Sequence, residues 1–226
     1  MSKIVEAYKE LRSFYTGFPL PNDIKFDTEL ISTVIQKLHC GKGPNIVGLS
    51  TEHLLLSHPS LPFILSKLFD LIVLSQQIPA GFRHSYIVPV PKPKDCRTKA
   101  MRCDDFRGIA ISPVLSKLFE RCFLDRFQSL LIFGDNQFGF KKGIGCSHAI
   151  YTACKAANNI LSGGSTANLC AIDLSKAFDK VNHHALYIKL MKRYIPVKLL
   201  DLLESSISVC YSRVTLLALV VKLSHG

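Results

Sequence analysis

The chain has 226 residues, 48% of them apolar, which is enough for one good core with a smaller unit beside it and excludes wholesale disorder. No apolar run approaches the roughly 18 residues of a membrane span, and the first residues carry acids without the apolar stretch of a secretory leader, so an intracellular chain, cytoplasmic or nuclear, with no membrane partner is expected. Lysines and arginines number 28 against 17 acids, and the net charge of +11 favours a polyanionic partner such as nucleic acid.

Residues 1–82 read as a helical leader and residues 83–226 as a mixed body. Phe14 to Phe26, with two prolines and a glycine, reads as a loop. Leu30, Ile31, Val34, Ile35 and Leu38 have helical spacing after Asp27, a plausible N-cap, with Gly41 as the stop. Pro62 opens a second helix carrying Ile64, Leu65, Leu68, Phe69 and Ile72. Ser85 to Val90 is short and β-branched, and its Pro89 predicts an edge strand, followed by the lysine-rich loop 91–102. From Arg83 to Arg102 there are six basic residues and a single acid, Asp95.

Ile109 to Ile111 is a second strand candidate. Ser112 and Pro113 read as N-cap and N1 of a helix carrying Leu115, Leu118, Phe119, Cys122 and Phe123 and ending near Gly134. Past the glycine-containing loop 139–145, Ser147 caps a helix that Gly163 and Gly164 stop. Asn168 to Leu174, apolar up to its aspartate, predicts a strand covered on both faces. Helices follow from about His184 and Pro196, and Val214 to Gly226 carries no assignable period. A second basic stretch, Lys189, Lys192, Arg193 and Lys198, suits a phosphate backbone, although either stretch alone also fits a solvated face. Eight cysteines (40, 96, 103, 122, 146, 154, 170 and 210) form no Cys-x-x-Cys pair. Several lie in apolar runs, as reduced core thiols do, and a structural zinc site is not expected. The pattern is α/β (α+β).

Nucleotidyl transfer uses magnesium ions held by rigid oxygen ligands, and a carboxylate at a strand tip is such a ligand. Asp173 fits this catalytic and metal-binding role in Ala171-Ile-Asp-Leu-Ser-Lys-Ala-Phe-Asp-Lys-Val-Asn-His183. Lys176 and Ala177 would lend backbone amides to a triphosphate, and Phe178 would lie beneath the incoming sugar, leaving no room for a 2′-hydroxyl. Asp179 fits a cap or brace. An aspartate ending an apolar strand also commonly forms a turn, so the whole string carries the reading. Adjacent His183 and His184 point apart on a helix and suit packing or capping better than metal.

The thirteen-residue string resembles the first palm motif of the reverse transcriptases encoded by non-LTR retrotransposons, the jockey-like mobile elements. Other segments match that family in order: Gly41-Lys-Gly-Pro-Asn-Ile-Val-Gly-Leu-Ser-Thr-Glu-His53 resembles its leader motif, and Ile78-Pro79 through Ile87-Val-Pro-Val-Pro-Lys-Pro-Lys94 its entry into the fingers. Asp105-Phe-Arg-Gly-Ile-Ala-Ile-Ser-Pro-Val-Leu-Ser-Lys-Leu-Phe-Glu120 resembles the fingers motif, and Asn136-Gln-Phe-Gly-Phe-Lys-Lys-Gly-Ile-Gly-Cys-Ser147 the one after it. The resemblance covers about residues 28–213. It implies the fingers and part of the palm of a right-hand polymerase, with RNA or DNA template–primer and dNTP as partners and Mg2+ as cofactor. It also implies that Lys92, Lys94 and Arg107 grip the triphosphate, that Lys141 and Lys142 contact the template backbone, and that glycines such as Gly143 let the backbone approach the strand.

The family's Tyr/Phe-x-Asp-Asp hairpin is not found after Asp173. The lone Asp-Asp pair, Asp104-Asp105, precedes it and lies in the fingers motif. Resemblance stops near Arg213, as a truncation, frame change or altered splice junction would produce, and Asn45 and Val47 stand where the family usually has glycine and aspartate. The expectation is a reverse transcriptase domain fragment without polymerase activity by itself. The alternatives are a non-catalytic nucleic-acid-binding remnant, a relic without function, and, within the enzymes, an intron-encoded maturase.

Overall fold

The computed structural model describes residues 3–20, 25–92, 102, 105–130, 134–141, 143–174, 177, 180–208 and 211–214. The chain divides into two compact units, Met1–Arg126 with Tyr187–Gly226, and Phe127–Leu186.

In the first unit α1 (Lys3–Ser13) and α3 (Thr51–Leu55), which spacing did not single out, form beside the two predicted leader helices, α2 (Thr28–Gln36) and α4 (Leu61–Ser75). Asp27 is the N-cap of α2, as its position predicts, but its carbonyl rather than its side chain holds the first turn, accepting from the Ile31 amide at 3.2 Å. Pro62 sits in the first turn of α4, where its missing N–H costs nothing. The apolar stripes of α2 and α4 meet a fifth helix, α5 (Val114–Arg126). Ile31, Val34, Leu65, Phe69, Ile72, Leu118, Phe119 and Cys122 are buried together with Phe26. Phe69 and Phe119 pack edge to face at 5.1 Å between centroids, and Phe26 closes the group at 5.8 Å from Phe69. Phe26 is pinned because its amide donates to Asp70 Oδ1 at 2.7 Å.

Two helix starts differ from expectation. α5 begins one residue late, because Pro113 supplies the first accepting carbonyl, to Lys117 N–H at 3.1 Å, and the helix ends at Arg126 rather than near Gly134. α6 (Cys146–Ser162), in the second unit, has Gly145 rather than Ser147 at its N-cap, and its C-terminus stops at Gly163 as predicted.

Strands β1 (His84–Pro91), β2 (Phe106–Ile111) and β3 (Tyr211–Val214) form a small mixed sheet in the order β2-β1-β3. β1 is antiparallel to β2 from the Tyr86–Ile111 pair to the Pro91–Phe106 pair, and parallel to β3 from His84 to Ile87. The edge-strand expectation is therefore corrected: β1 is the middle strand over its first half. The proline rule survives locally, because Pro89 lies beyond the stretch paired with β3, where among the described residues β1 has one neighbour and one missing N–H is tolerated.

α7 (His183–Met191) and α8 (Val197–Ser208) follow. Tyr187, Met191 and Leu200 form a second buried cluster, against which Tyr8 and Tyr15 pack from the N-terminal region. α1 buries no residue fully; Tyr8 Oη donates to Glu204 at 2.7 Å, and Arg12 pairs with Asp201 and Glu204 of α8.

The second unit contains α6 and long irregular segments. The strand expected over Asn168–Leu174 is not formed: residues 165–174 have no regular structure, and Leu169, Ile172 and Leu174 are 78%, 84% and 72% exposed. A continuous apolar run records the burial a strand has between neighbours, and among the described residues nothing pairs with this one. The cysteine expectation is also corrected, since Cys122 is buried but Cys40, Cys146, Cys154 and Cys170 are exposed.

Candidate functional site

The site residues predicted from sequence fall in both units. In the first, the β1–β2 hairpin carries Lys92 and Arg107. Arg107 pairs with Val90, and the ladder continues one step past Pro91–Phe106, where the Lys92 amide donates to the Asp105 carbonyl at 2.8 Å. Side chains alternate along each strand and paired residues share a face, so Val90, Lys92, Asp105 and Arg107 lie on one side of the hairpin end. Arg107 is exposed and Lys92 half-buried, which leaves cationic groups where an anion can reach them. Lys94 lies outside the described residues.

Asp105, half of the Asp-Asp pair that sequence order excludes from catalysis, holds this end of the hairpin. Its carbonyl takes the Lys92 amide, its carboxylate accepts from the Arg102 amide at 2.9 Å, and its own amide donates to the Arg102 carbonyl at 2.9 Å. The signal was available in sequence, because an aspartate opening a β-strand commonly closes a turn through its side chain.

The leader motif is held to the same hairpin: Tyr86 of β1 donates through Oη to the Pro44 carbonyl at 2.8 Å. Asn45 occupies a position that the family usually gives to glycine, and it builds its own turn. Asn45 Oδ1 accepts from the amides of Val47 and Leu49 at 3.0 and 2.9 Å, and Gly48 takes φ +83°, a conformation that favours glycine. Glu52 closes the other end, accepting from the Gly41 amide at 2.7 Å; that bond and a second from Ser50 hold its carboxyl down to about 2.

In the second unit, Lys141 Nζ donates to the Gly134 carbonyl at 2.7 Å, so this predicted template contact also ties its own loop together. Gly143 has φ +76° and no protein atom near the position of an added Cβ; backbone conformation, rather than crowding within the chain, calls for glycine there. Lys142, Lys176, Phe178 and Asp179 lie outside the described residues, and Ala177 is exposed in a turn. Asp173 is exposed at the end of the irregular segment and makes no hydrogen bond or ion pair among the described residues. His183 begins α7, whose start is capped by Asn182 Oδ1 accepting from the Ala185 amide at 3.1 Å; His183 is exposed and His184 half-buried.

Among the described residues no three His, Cys, Asp or Glu side chains converge as a metal ion requires. The magnesium implied by the sequence resemblance would rest, among the described residues, on Asp173. No described helix is long and apolar enough to cross a membrane.

Comparison with known proteins bears on this arrangement. Residues 90–217, from the end of β1 through β3, match the family model for reverse transcriptase (RNA-dependent DNA polymerase). The chain is 26% identical over 206 residues to a probable RNA-directed DNA polymerase from transposon BS of Drosophila melanogaster, covering 88% of this chain and 22% of that protein. It is 28% identical over 146 residues to a probable RNA-directed DNA polymerase from transposon X-element of the same organism, covering 62% of this chain and 16% of that protein. It thus spans about a fifth of the length of these relatives. Members of the matched family bind template–primer and nucleotides and use divalent metal ions. With its motifs in family order and more than half its length matched, the chain belongs to the reverse transcriptase (RNA-dependent DNA polymerase) family, among those of non-LTR retrotransposons.

Proposed function

We propose that the chain supplies the fingers and part of the palm of an RNA-directed DNA polymerase, with residues 1–82 as leader and 83–226 as the polymerase domain. Lys92, Lys94 and Arg107 take the dNTP triphosphate. Lys141, Lys142 and Gly143 follow the template strand. Asp173 is the carboxylate for Mg2+, beside Lys176, Ala177 and Phe178 beneath the nucleotide. What carries this reading is the hairpin register inside the matched region, which brings Lys92 and Arg107 to one face. Two cations of different shape, a point charge and a planar fork, suit a triphosphate.

By itself the chain binds template–primer without extending it. Its 226 residues contain one candidate carboxylate of this type, and a single carboxylate leaves magnesium mostly hydrated and poorly positioned. The test is primer extension by the purified chain with Mg2+, run beside binding of the same template–primer over a range of salt. Salt-sensitive binding without incorporation is expected. Magnesium-dependent incorporation would overturn the inactivity, and failure to bind would overturn the substrate assignment.

A second reading, a nucleic-acid-binding protein without chemistry, is favoured by the exposure of Asp173. It differs in one respect: such a protein retains no dNTP affinity dependent on Arg107.

A further inference from the structure

Within the first unit, the loop between α2 and α3 and the outer face of α5 enclose a cavity of about 380 Å3, a volume at the lower end of small-ligand sites. Lys42 reaches it from the loop, and Lys117 and Arg121 from α5, where a spacing of four residues puts both on one face. His39 and Ser112 also line it, and Glu120 is its one acid. Lys92 and Arg107 do not line it.

None of the three cations makes an ion pair among the described residues. Burial and then the adjacent positive charge of Lys42 lower the pKa of Lys117; Arg121 acts in the same direction and Glu120 opposes them. Like charges gathered around an open cavity repel, and the repulsion turns into attraction when an anion with several acceptor oxygens enters. The Lys117 and Arg121 side chains supply both a compact ammonium and a forked guanidinium. A carboxylate offers two oxygens, whereas a phosphate has an oxygen for each of the three.

We propose that this cavity is a phosphate site, in which Lys42, Lys117 and Arg121 share the oxygens of one phosphate group. The phosphate comes either from the backbone of a nucleic-acid strand or from a free nucleotide, and the cavity has room for a sugar beside it. The proposal stands apart from the polymerase reading, since binding here requires neither primer nor divalent ion.

The test uses the full chain without divalent metal, with two probes: AMP by calorimetry, and a fluorescent ten-nucleotide single-stranded RNA by anisotropy over a range of salt. The variants are Lys117→Gln with Arg121→Gln, and Lys42→Gln alone, an exposed loop position that leaves the helix untouched should the double variant fail to fold. Lys67→Gln with Lys155→Gln, two basic residues elsewhere, controls for net charge. Loss of AMP binding in the pocket variants identifies a free-nucleotide site. Weaker RNA binding, with the salt slope reduced by about 0.7 per lost phosphate contact, identifies a strand site. Lys42→Gln alone is expected to weaken the responsive probe about tenfold, as loss of one charge-assisted bond does. Wild-type binding of both probes by the pocket variants overturns the proposal, as does an equal loss in the Lys67/Lys155 control.

Discussion

The Lys92 amide donates to the Asp105 carbonyl at 2.8 Å, one step beyond the last pair of the β1–β2 ladder, and thereby sets Lys92 on the same face as Arg107. Neither residue's position in the chain makes them neighbours, since fourteen positions and the lysine-rich loop separate them. If the two grip one triphosphate, Arg107→Gln weakens dNTP binding by about tenfold or more, the cost of a lost charge-assisted contact. Lys92→Gln weakens it as well, and the double variant loses less than the sum of the two, as side chains sharing a ligand do. Titration with a fluorescent dNTP measures all three. Unchanged affinity in the single variants would remove the hairpin from the nucleotide site.

Asn45 holds the leader loop through two amides, and its side chain is buried. Asn45→Ala leaves the Val47 and Leu49 donors without their acceptor, and a loss of about 1–3 kcal/mol is expected in urea denaturation. Asn45→Asp retains the accepting oxygen and is expected to restore most of it. An alanine variant as stable as wild type would mean that solvent replaces the side chain at no cost.

The carboxyl of Glu52 is held down to about 2 from 4.5, first by the Gly41 amide and then by Ser50. A carboxyl lowered in the folded state contributes stability above its unfolded value, here 4.5, and that contribution disappears as pH falls through about 2. Amide exchange at Gly41 is therefore expected to be faster in Glu52→Gln than in wild type at pH 6, with the two converging near pH 2. Equal protection at pH 6 would contradict the clamp.

Cys122 is fully buried beside Phe119, and burial, with Asp125 adding to it, pushes its thiol up to about 12. The thiolate is the reactive form, so alkylation at pH 8 is expected to modify Cys40, Cys146, Cys154 and Cys170 promptly and Cys122 only when the α2–α4–α5 core opens. Peptide mapping against time reads this directly. Phe119→Ala, which removes the ring at the centre of that core, is expected to cost about 3–5 kcal/mol and to expose Cys122 to the same reagent.

Much of the first unit was legible from residue spacing. The stripe from Ile31 to Ile35 and the set Ile64, Leu65, Leu68, Phe69 and Ile72 predicted two helix faces; Ile31, Val34, Ile35, Leu65, Phe69 and Ile72 are buried, whereas Ile64 is exposed. Helix boundaries were less legible, because a capping serine and an adjacent proline or glycine compete for the same role, as at Pro113 and Gly145. The strand Tyr211–Val214 was missed, since four residues carry no readable period and its pairing with β1 joins segments more than a hundred positions apart.

The sequence by itself determined the family, the order of its motifs, the helical leader and the identity of the candidate carboxylate at Asp173, because motif order and apolar periodicity are properties of the chain alone. Only the tertiary structure decided which cations share a face. The backbone bond at Lys92 aligned Lys92 with Arg107, and the packing of the leader loop against α5 gathered Lys42, Lys117 and Arg121 around one cavity. It also decided that Leu169, Ile172 and Leu174 remain exposed: a strand is made by its neighbours' hydrogen bonds, and no pattern within one segment can supply them.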